Sequence, residues 1–570
     1  MKGKRGAEIL VETLKKEGVT TIFGYPGGSV IELYDVLYDE PSINHVLVRH
    51  EQGAAHAADG YARASGKIGV CLATSGPGAM NLVTGLVTAA IDSSPVIALT
   101  GQVSTDMLGK DAFQEADTFN ITMPFVKHNF LVKDVNQLDS TIKGAIQIAS
   151  TRRKGVVLVD LPSNVLKERA VSSSTQVVRF EGYNPNVKAN KFQIKRIAKA
   201  LLEAERPLIL VGGGVIASDA SKELVALAEL LGAGVVYTLM GKGSIPDTHP
   251  LCLGMTGMHG KISANKAITE CDLLLAIGTR FSDRVTGWKL DRFAPNAYKI
   301  HVDIDSVEIN KNLEVDLPMV GDARDVLKGL LIEVKKAIKD RKPKQWKNRI
   351  KEMHQVCNGC HEGESEEKII LPEKIIAELN RLLPRDAIVT TEVGQCQMFA
   401  AHFLKTYNPR TFLSSGGLGT MGFGFPAAIG AKVAKPDKPV VDIAGDGSFT
   451  MVSQELGTSV SNDIPVIVCI FNNGYLGMVR QWQELFYGKR YSHTRIGGPP
   501  NFVKLAEAYG ARGIEVEKPN QVRDALKNGL ESKQTTIIDF HIGGETNILP
   551  MIPPGGGIDE MIGVERCRTI

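Results

Sequence analysis

"VVDIAGDGSFTMVSQELGTSVSNDIPVIVCIFNNGYLGM", Val440–Met478, opens with a strand that runs into Gly-Asp-Gly and closes, some 25 residues later, with a second apolar strand that runs into Asn-Asn-Gly. Unbroken Val/Ile/Leu runs suit strands covered on both faces, as in parallel sheets. Ligands of such sheets gather beyond the carboxyl ends of the strands, which is where both turns lie. Gly445 and Gly447 allow close backbone approach, Asp446 offers a charged oxygen, Asn473 a neutral amide oxygen, and the turn after it a backbone carbonyl. Either turn alone reads equally well as ordinary turn chemistry. Together they form half an octahedron for Mg²⁺, whose other positions suit phosphate oxygens and water.

The same strand type recurs along the chain, alternating with helical patterns. The first third carries "NHVLVRH", "IGVCLATSGPG", "PVIALTGQ" and "GVVLVDLP". The middle carries "RPLILVGGGV", "AGVVYTLMG", "CDLLLAIGTRF" and "YKIHVDID", and the last third "AIVTTEVG", "PVVDIAGDG", "IPVIVCIFNN" and "TTIIDFHI". Two polar stretches, "ERAVSSSTQVVRFEGYNPN" and "KKAIKDRKPKQWKNRIKEMHQ", separate them. This predicts an α/β protein of three doubly wound parallel-sheet domains, over 1–165, 190–335 and 370–545, with a tail over 546–570. A chain of 570 residues is too long for one core.

Net charge is +3, with 23% charged and 43% hydrophobic residues and no basic stripe, so nucleic acid is not an expected partner. No apolar run approaches membrane-spanning length, and the amphipathic "MKGKRGAEILVETLKKEG" lacks a signal-peptide core. Cytoplasm is the expected location. Eight cysteines make no disulfide framework, and Cys71 and Cys469 read as buried thiols. Cys357, Cys360 and His361 match the C-x-x-C-H haem pattern, but without a second ligand pair or export signal they read as chance.

Gly-Asp-Gly followed at this distance by Asn-Asn resembles the Mg²⁺–diphosphate motif of thiamine diphosphate enzymes. The resemblance implies that Asp446, Asn473 and the Tyr475 carbonyl hold the metal. In "LVRHEQGAAHAADGYARASG", Glu51 follows a strand and opens a helix. Alone it is equally an acid favoured by a helix dipole. The segment is similar to the family's RHEQGA stretch, whose glutamate bonds the cofactor's pyrimidine and acts as general acid/base. "YPGG", "TSGPG", "DAFQEAD", "GMHG", "GTRFSDRVTG", "GGLGTMGFGFPAAIGA" and "GYLGMVRQWQELFY" extend the resemblance over nearly the whole chain, to the acetohydroxyacid (acetolactate) synthase catalytic subunits. That family decarboxylates pyruvate and joins the two-carbon unit to a second pyruvate or to 2-ketobutyrate, the first common step towards valine, leucine and isoleucine.

The resemblance also implies site residues. Gln395, Cys396, Met421, Gly445, Gly447, Ser448 and Met478 would surround thiamine diphosphate, with Met421 supporting the bent cofactor. Gln114 would sit near the reacting centre. Arg284 would grip the acceptor's carboxylate, and Trp482, with Met478, Val479 and Phe113, would wall its alkyl group. Arg153, Gly212, Gly213, Gly214, His259, Arg280, Asp303 and Asp322 would bind a non-redox FAD; by itself "LILVGGGV" is only a glycine turn suited to a nucleotide phosphate. The active site would form between two subunits of a homodimer or dimer of dimers, and a regulatory small subunit stays open. Ser163, Cys396 with Phe399, Ser104 and Ser282 depart from the family's Lys, His with Trp, Pro and Asp. These bear on substrate preference and one diphosphate contact. Two other readings stand beside this one: an FAD-dependent oxidase of pyruvate-oxidase type, and a non-catalytic paralogue. The adjacent histidines typical of simple decarboxylases of this fold do not occur.

Overall fold

The computed structural model describes residues 3–171, 183–184, 188–338, 344–357, 369–498 and 500–564. Cys360 and His361 of the C-x-x-C-H stretch lie outside them. Each third of the chain forms one wholly parallel six-stranded sheet with helices on its faces. Each apolar run quoted above contains one of the strands.

In the first sheet the spatial order is Asn44–Leu47, Thr21–Gly24, Gly69–Ala73, Val96–Gln102, Val156–Pro162, His128–Leu131. The third sheet repeats that order with Phe412–Leu413, Ile388–Thr391, Val440–Gly445, Ile467–Asn472, Thr536–His541 and Arg512–Val516. Numbered within each unit this is 2-1-3-4-6-5, so the order reverses between the first and third strands. The middle sheet runs Leu317–Val320, Tyr298–Asp303, Leu273–Ile277, Pro207–Val211, Gly234–Tyr237, Cys252–Met255. That is the mirror listing of 3-2-1-4-5-6, the order of dinucleotide-binding folds, with its reversal between Pro207–Val211 and Leu273–Ile277.

The inner strands are buried along their length, as their lack of alternation requires. Cys71 and Cys469 are buried free thiols, as expected. No helix among the described residues is long and apolar enough to cross a membrane.

Small residues let the first and third units close on each other. Helix Glu51–Ser65 lies on helix Gly424–Ala434 so tightly that a Cβ on Gly430 would stand 1.9 Å from the Ala57 carbonyl oxygen, and one on Gly60 would stand 2.2 Å from that of Ala427. Arg63, mostly covered, pairs with Asp59 and Asp92 and donates to the Ser414 carbonyl, while Asp92 accepts the Gly416 and Gly417 N–H groups. The middle unit joins the third through the buried Lys242–Asp247 pair, with Asp247 also accepting the Thr406 N–H. Helix Lys344–Cys357 leans on the middle sheet, and its buried Trp346 donates Nε1–H to the Pro207 carbonyl.

Candidate functional site

Strands Val440–Gly445 and Ile467–Asn472 are hydrogen-bonded neighbours, with Gly445 opposite Phe471, so their two turns sit side by side. Asp446 Oδ2 accepts the Gly474 N–H at 2.9 Å, and Asn473 Oδ1 accepts the Tyr475 N–H at 2.9 Å. Asp446 is 2% exposed, and burial pushes its carboxyl up to about 6. A carboxylate so poorly solvated is stabilised by a cation beside it. With the amide oxygen of Asn473, this donor set fits a diphosphate-bound Mg²⁺.

The other residues expected at this end gather around the same turns. Met421 Cε lies 4.0 Å from where a Cβ on Gly447 would stand, and Cys396 Sγ lies 3.6 Å from one on Gly445. The Cys396 thiol is buried and pushed well up, which makes it an inert neighbour. Gln395 donates from Nε2 to Gln481 Oε1 and to the Thr546 carbonyl, each at 2.9 Å. Met478, Val479 and Trp482 follow on helix Gly477–Phe486. Val479 is 51% exposed, and Trp482 packs edge-on against Phe486.

One residue at this end escaped the sequence reading. Glu392 follows strand Ile388–Thr391 at the point where the sheet order reverses, and it is fully buried. Its Oε1 accepts the Phe425 N–H at 2.9 Å; its Oε2 accepts the Gly422 N–H at 2.8 Å and the Ser448 hydroxyl at 2.6 Å. An acid after a strand in "TTEVGQ" is the signal that could have found it, but it lies outside the paired-turn motif.

Glu51, the first residue of helix Glu51–Ser65, belongs to a second cluster on the first unit. Its Oε2 accepts Asn81 Nδ2–H at 3.0 Å, and its Oε1 lies 3.1 Å from where a Cβ on Gly78 would stand. Gln114, at φ 57°, sets its backbone against Gly76 of the TSGPG turn. Its neighbour Phe113 is 90% exposed, so it does not pack on Trp482 within one chain.

In the middle unit, Gly212 and Gly278 follow the two strands between which the order reverses, and their turns touch. A Cβ on Gly212 would stand 2.1 Å from the Gly278 oxygen, and one on Gly214 would stand 2.7 Å from Gly278 Cα. A cleft opens beside them, lined among others by Asp92, Lys154, Gly213, Met240 and Arg410. The bare glycine crevice at a reversal point fits a dinucleotide such as FAD. His259 is buried and neutral, pushed down to about 4 by burial, and its Nε2 has no hydrogen-bond partner among the described residues. Arg280 reaches towards Gly417. Asp303 is pushed up to about 6 by burial. Arg153 is paired with Glu308 and Asp305, and Asp322 caps helix Ala323–Ala337 while accepting the Ser218 hydroxyl.

Arg284 stands apart: 56% of its side chain is exposed, paired with Asp283 at 3.8 Å, over the Trp288 ring and beside Met258 Sδ. The tail connects this segment to the Trp482 helix. Ile548 bonds Gln481 in both directions, Ile552 N–H donates to the Met258 carbonyl, and Gly557 bridges Gly287. Asp559 and Glu560 then pair with Arg292 and Lys289. Of the departing residues, Ser282 precedes the short helix Asp283–Thr286 without capping it through its side chain.

Comparison with known proteins bears on all three units. Residues 4–121 match the thiamine pyrophosphate enzyme N-terminal TPP binding domain, 194–330 the central domain, and 392–540 the C-terminal TPP binding domain. The chain is 50% identical over 568 residues to a probable acetolactate synthase large subunit of Methanocaldococcus jannaschii, covering 98% of this chain and 95% of that protein. It is 46% identical over 575 residues to an acetolactate synthase of Mycobacterium bovis, covering 99% and 92%. Against the acetolactate synthase isozyme 3 large subunit of Escherichia coli it is 43% identical over 565 residues, covering 98% of each.

Proposed function

This chain belongs to the acetolactate synthase large subunits of the thiamine pyrophosphate enzyme family, and from that premise we propose how its residues share the work. The reaction is the decarboxylation of pyruvate and the joining of the remaining two-carbon unit to a second pyruvate, giving 2-acetolactate, or to 2-ketobutyrate, giving 2-aceto-2-hydroxybutyrate. Carbon dioxide leaves and no electrons are exchanged with an acceptor. Thiamine diphosphate, when bound, supplies the acidic thiazolium carbon that makes this chemistry accessible.

Asp446, Asn473 and the Tyr475 carbonyl hold Mg²⁺, and through it the diphosphate, beside Gly445, Gly447, Ser448, Gln395 and Cys396. The observation that carries the reading is the closure of the two turns, with the Gly474 N–H on Asp446 at 2.9 Å. Glu51 would hydrogen-bond the pyrimidine and hold or release a proton at its carboxylate as general acid/base. Met421 would support the bound cofactor. Gln114 stands near the reacting carbon, Arg284 binds the acceptor's carboxylate through its guanidinium fork, and Trp482 walls the acceptor's alkyl group. Gly212–Gly214, His259, Arg280, Asp303, Asp322 and Arg153 hold FAD, which takes no electrons in this reaction.

Glu51 and Gln114 stand on the first unit, and Asp446 and Trp482 on the third. Exposed apolar side chains flank both groups: Phe113, Met123 and Phe125 on one, Leu418, Met451 and Val479 on the other. Exposed apolar side chains, where they cluster, mark association surfaces, and these support a homodimer whose two copies complete each site; the cytoplasm is its proposed location. The units are proposed to span 1–165, 190–335 and 370–545, with 546–570 as the tail.

Purified protein given pyruvate, Mg²⁺, thiamine diphosphate and FAD should form acetolactate without an electron acceptor. An acetyl product formed with flavin reduction would mark it as an oxidase instead, and no turnover of pyruvate with thiamine diphosphate bound would make it a non-catalytic relative.

A further inference from the structure

We infer that Glu392 is a positioning residue of the thiamine diphosphate site, an inference that rests on the reading above: its carboxylate ties the Met421–Phe425 segment to Ser448 and so fixes both against the cofactor. Gly422, next in the chain to Met421, gives its N–H to Glu392 Oε2 at 2.8 Å, and Phe425 gives its N–H to Oε1 at 2.9 Å. Ser448 gives its hydroxyl proton to Oε2 at 2.6 Å and receives the Gly422 N–H at 3.1 Å. One carboxylate therefore gathers donors from two separate elements, the Met421–Phe425 segment and the turn after strand Val440–Gly445.

The arrangement needs Glu392 ionised. Its buried neighbour Asp442 accepts only the Thr390 hydroxyl, at 2.9 Å, and its Oδ2 has no partner among the described residues. Burial raises both carboxyls, and Asp442 also feels the charge of Glu392. Of two close buried acids, the one with more donors keeps the charge and the other takes the proton. Asp442 is thus the neutral partner. Gly424 is what lets the segment lie between them: a Cβ there would stand 2.4 Å from Asp442 Oδ1 and 2.5 Å from the Glu392 nitrogen.

A consequence follows for Ser448. Its only proton is committed to Glu392, so its hydroxyl has none to give to a phosphate oxygen. Its part in holding the diphosphate falls to its main chain, and the side chain serves as a link between Glu392 and the turn.

The test compares the full-length protein with Glu392→Gln and Ser448→Ala. In Glu392→Gln one oxygen becomes an NH₂ that faces an N–H donor, while volume is kept. Titration with thiamine diphosphate and Mg²⁺ should show affinity lowered by about tenfold or more, the scale of a hydrogen bond to a buried charge. The apparent KM for thiamine diphosphate should rise while that for pyruvate, at saturating cofactor, stays put. Bound flavin and cooperative melting without thiamine diphosphate should be those of the wild type. Ser448→Ala removes one of the three donors on Glu392 and leaves the Gly422 and Phe425 bonds, so its loss should be smaller than that of Glu392→Gln.

Unchanged affinity in Glu392→Gln overturns the assignment, as does a loss in Ser448→Ala equal to that in Glu392→Gln, which would make the hydroxyl a direct ligand. Loss of flavin and of cooperative melting in Glu392→Gln also overturns it, making the residue one of folding alone. Wild type titrated in parallel reports on the site itself, so failure of the functional reading appears there and failure of the Glu392 assignment only in its variants.

Discussion

Replacing Gly278 with alanine should release flavin and spare thiamine diphosphate. Gly278 follows strand Leu273–Ile277 with φ 59°, and a Cβ on it would stand 2.6 Å from Gly214 Cα and 3.1 Å from the Gly214 nitrogen and carbonyl carbon. Left-handed backbone costs an L-residue about 1–2 kcal/mol. A carbon about 1 Å inside its normal contact distance adds an overpacking cost of about 1–3 kcal/mol. The two turns are bonded, Gly214 N–H to the Gly278 oxygen at 3.2 Å, so strain is relieved by prying apart the crevice that would receive the dinucleotide. A cost of about 2–5 kcal/mol, charged mainly to the bound state, lowers flavin affinity by tens- to thousands-fold. The assay is flavin absorbance retained after gel filtration, then equilibrium titration with FAD, with a thiamine diphosphate titration alongside. Wild-type flavin affinity in the variant would refute the crevice as the flavin site. Equal loss of both cofactors would show that the strain is not local.

Asp446→Ala should abolish Mg²⁺-dependent binding of thiamine diphosphate by calorimetry while leaving flavin in place, because the two sites lie on different sheets. Glu51→Gln should keep the cofactor but lower turnover by about 10²–10⁴-fold, the scale of a lost general acid/base, and should slow exchange of the thiazolium proton followed by NMR. Trp482→Leu should shift the product ratio from mixed pyruvate and 2-ketobutyrate by about 1–3 kcal/mol against the longer acceptor; Arg284→Lys should weaken both acceptors together, since an ammonium cannot make the bidentate contact. Glu455, buried and accepting the Arg49 N–H, is pushed by burial from the ordinary 4.5 up to about 7. Being raised on folding, it destabilises the protein progressively as pH rises from 4.5 to about 7, by at most about 3 kcal/mol, and not below that window. Melting temperatures of Glu455→Gln minus wild type should therefore rise across that range, and a flat difference would contradict the shift.

The inner strands were legible because burial on both faces leaves an unbroken apolar run. The strands that did not declare themselves are mostly edges. His128–Leu131 and Arg512–Val516 carry exposed residues, Phe412–Leu413 is two residues long, and Cys252–Met255 and Leu317–Val320 close the two ends of the middle sheet. An edge is covered on one side only, so its sequence need not be apolar throughout. Thr21–Gly24 is the exception: inner and fully buried, but only four residues long. Among the proposed site residues, Asp446 and Asn473 announce themselves by short-range turn chemistry. Glu392 does not, because its importance lies in donors from Gly422, Phe425 and Ser448, which the fold brings to it from 30 to 56 positions away.

The strap formed by residues 548–561 bears on the order in which a ribosome releases the chain. The segment around Met258, Arg284 and Arg292 is synthesised long before Ile552, Gly557 and Asp559, which cover it; Arg292 and Asp559 are 267 positions apart. The middle sheet can assemble as soon as its strands are out, but the side of the cleft proposed for the acceptor acid stays uncovered until the strap arrives. A translation product cut short near residue 545 would contain all three sheets and still lack that cover. It should bind flavin and thiamine diphosphate and fail at carboligation, so arrival of the strap acts as a checkpoint on carboligation.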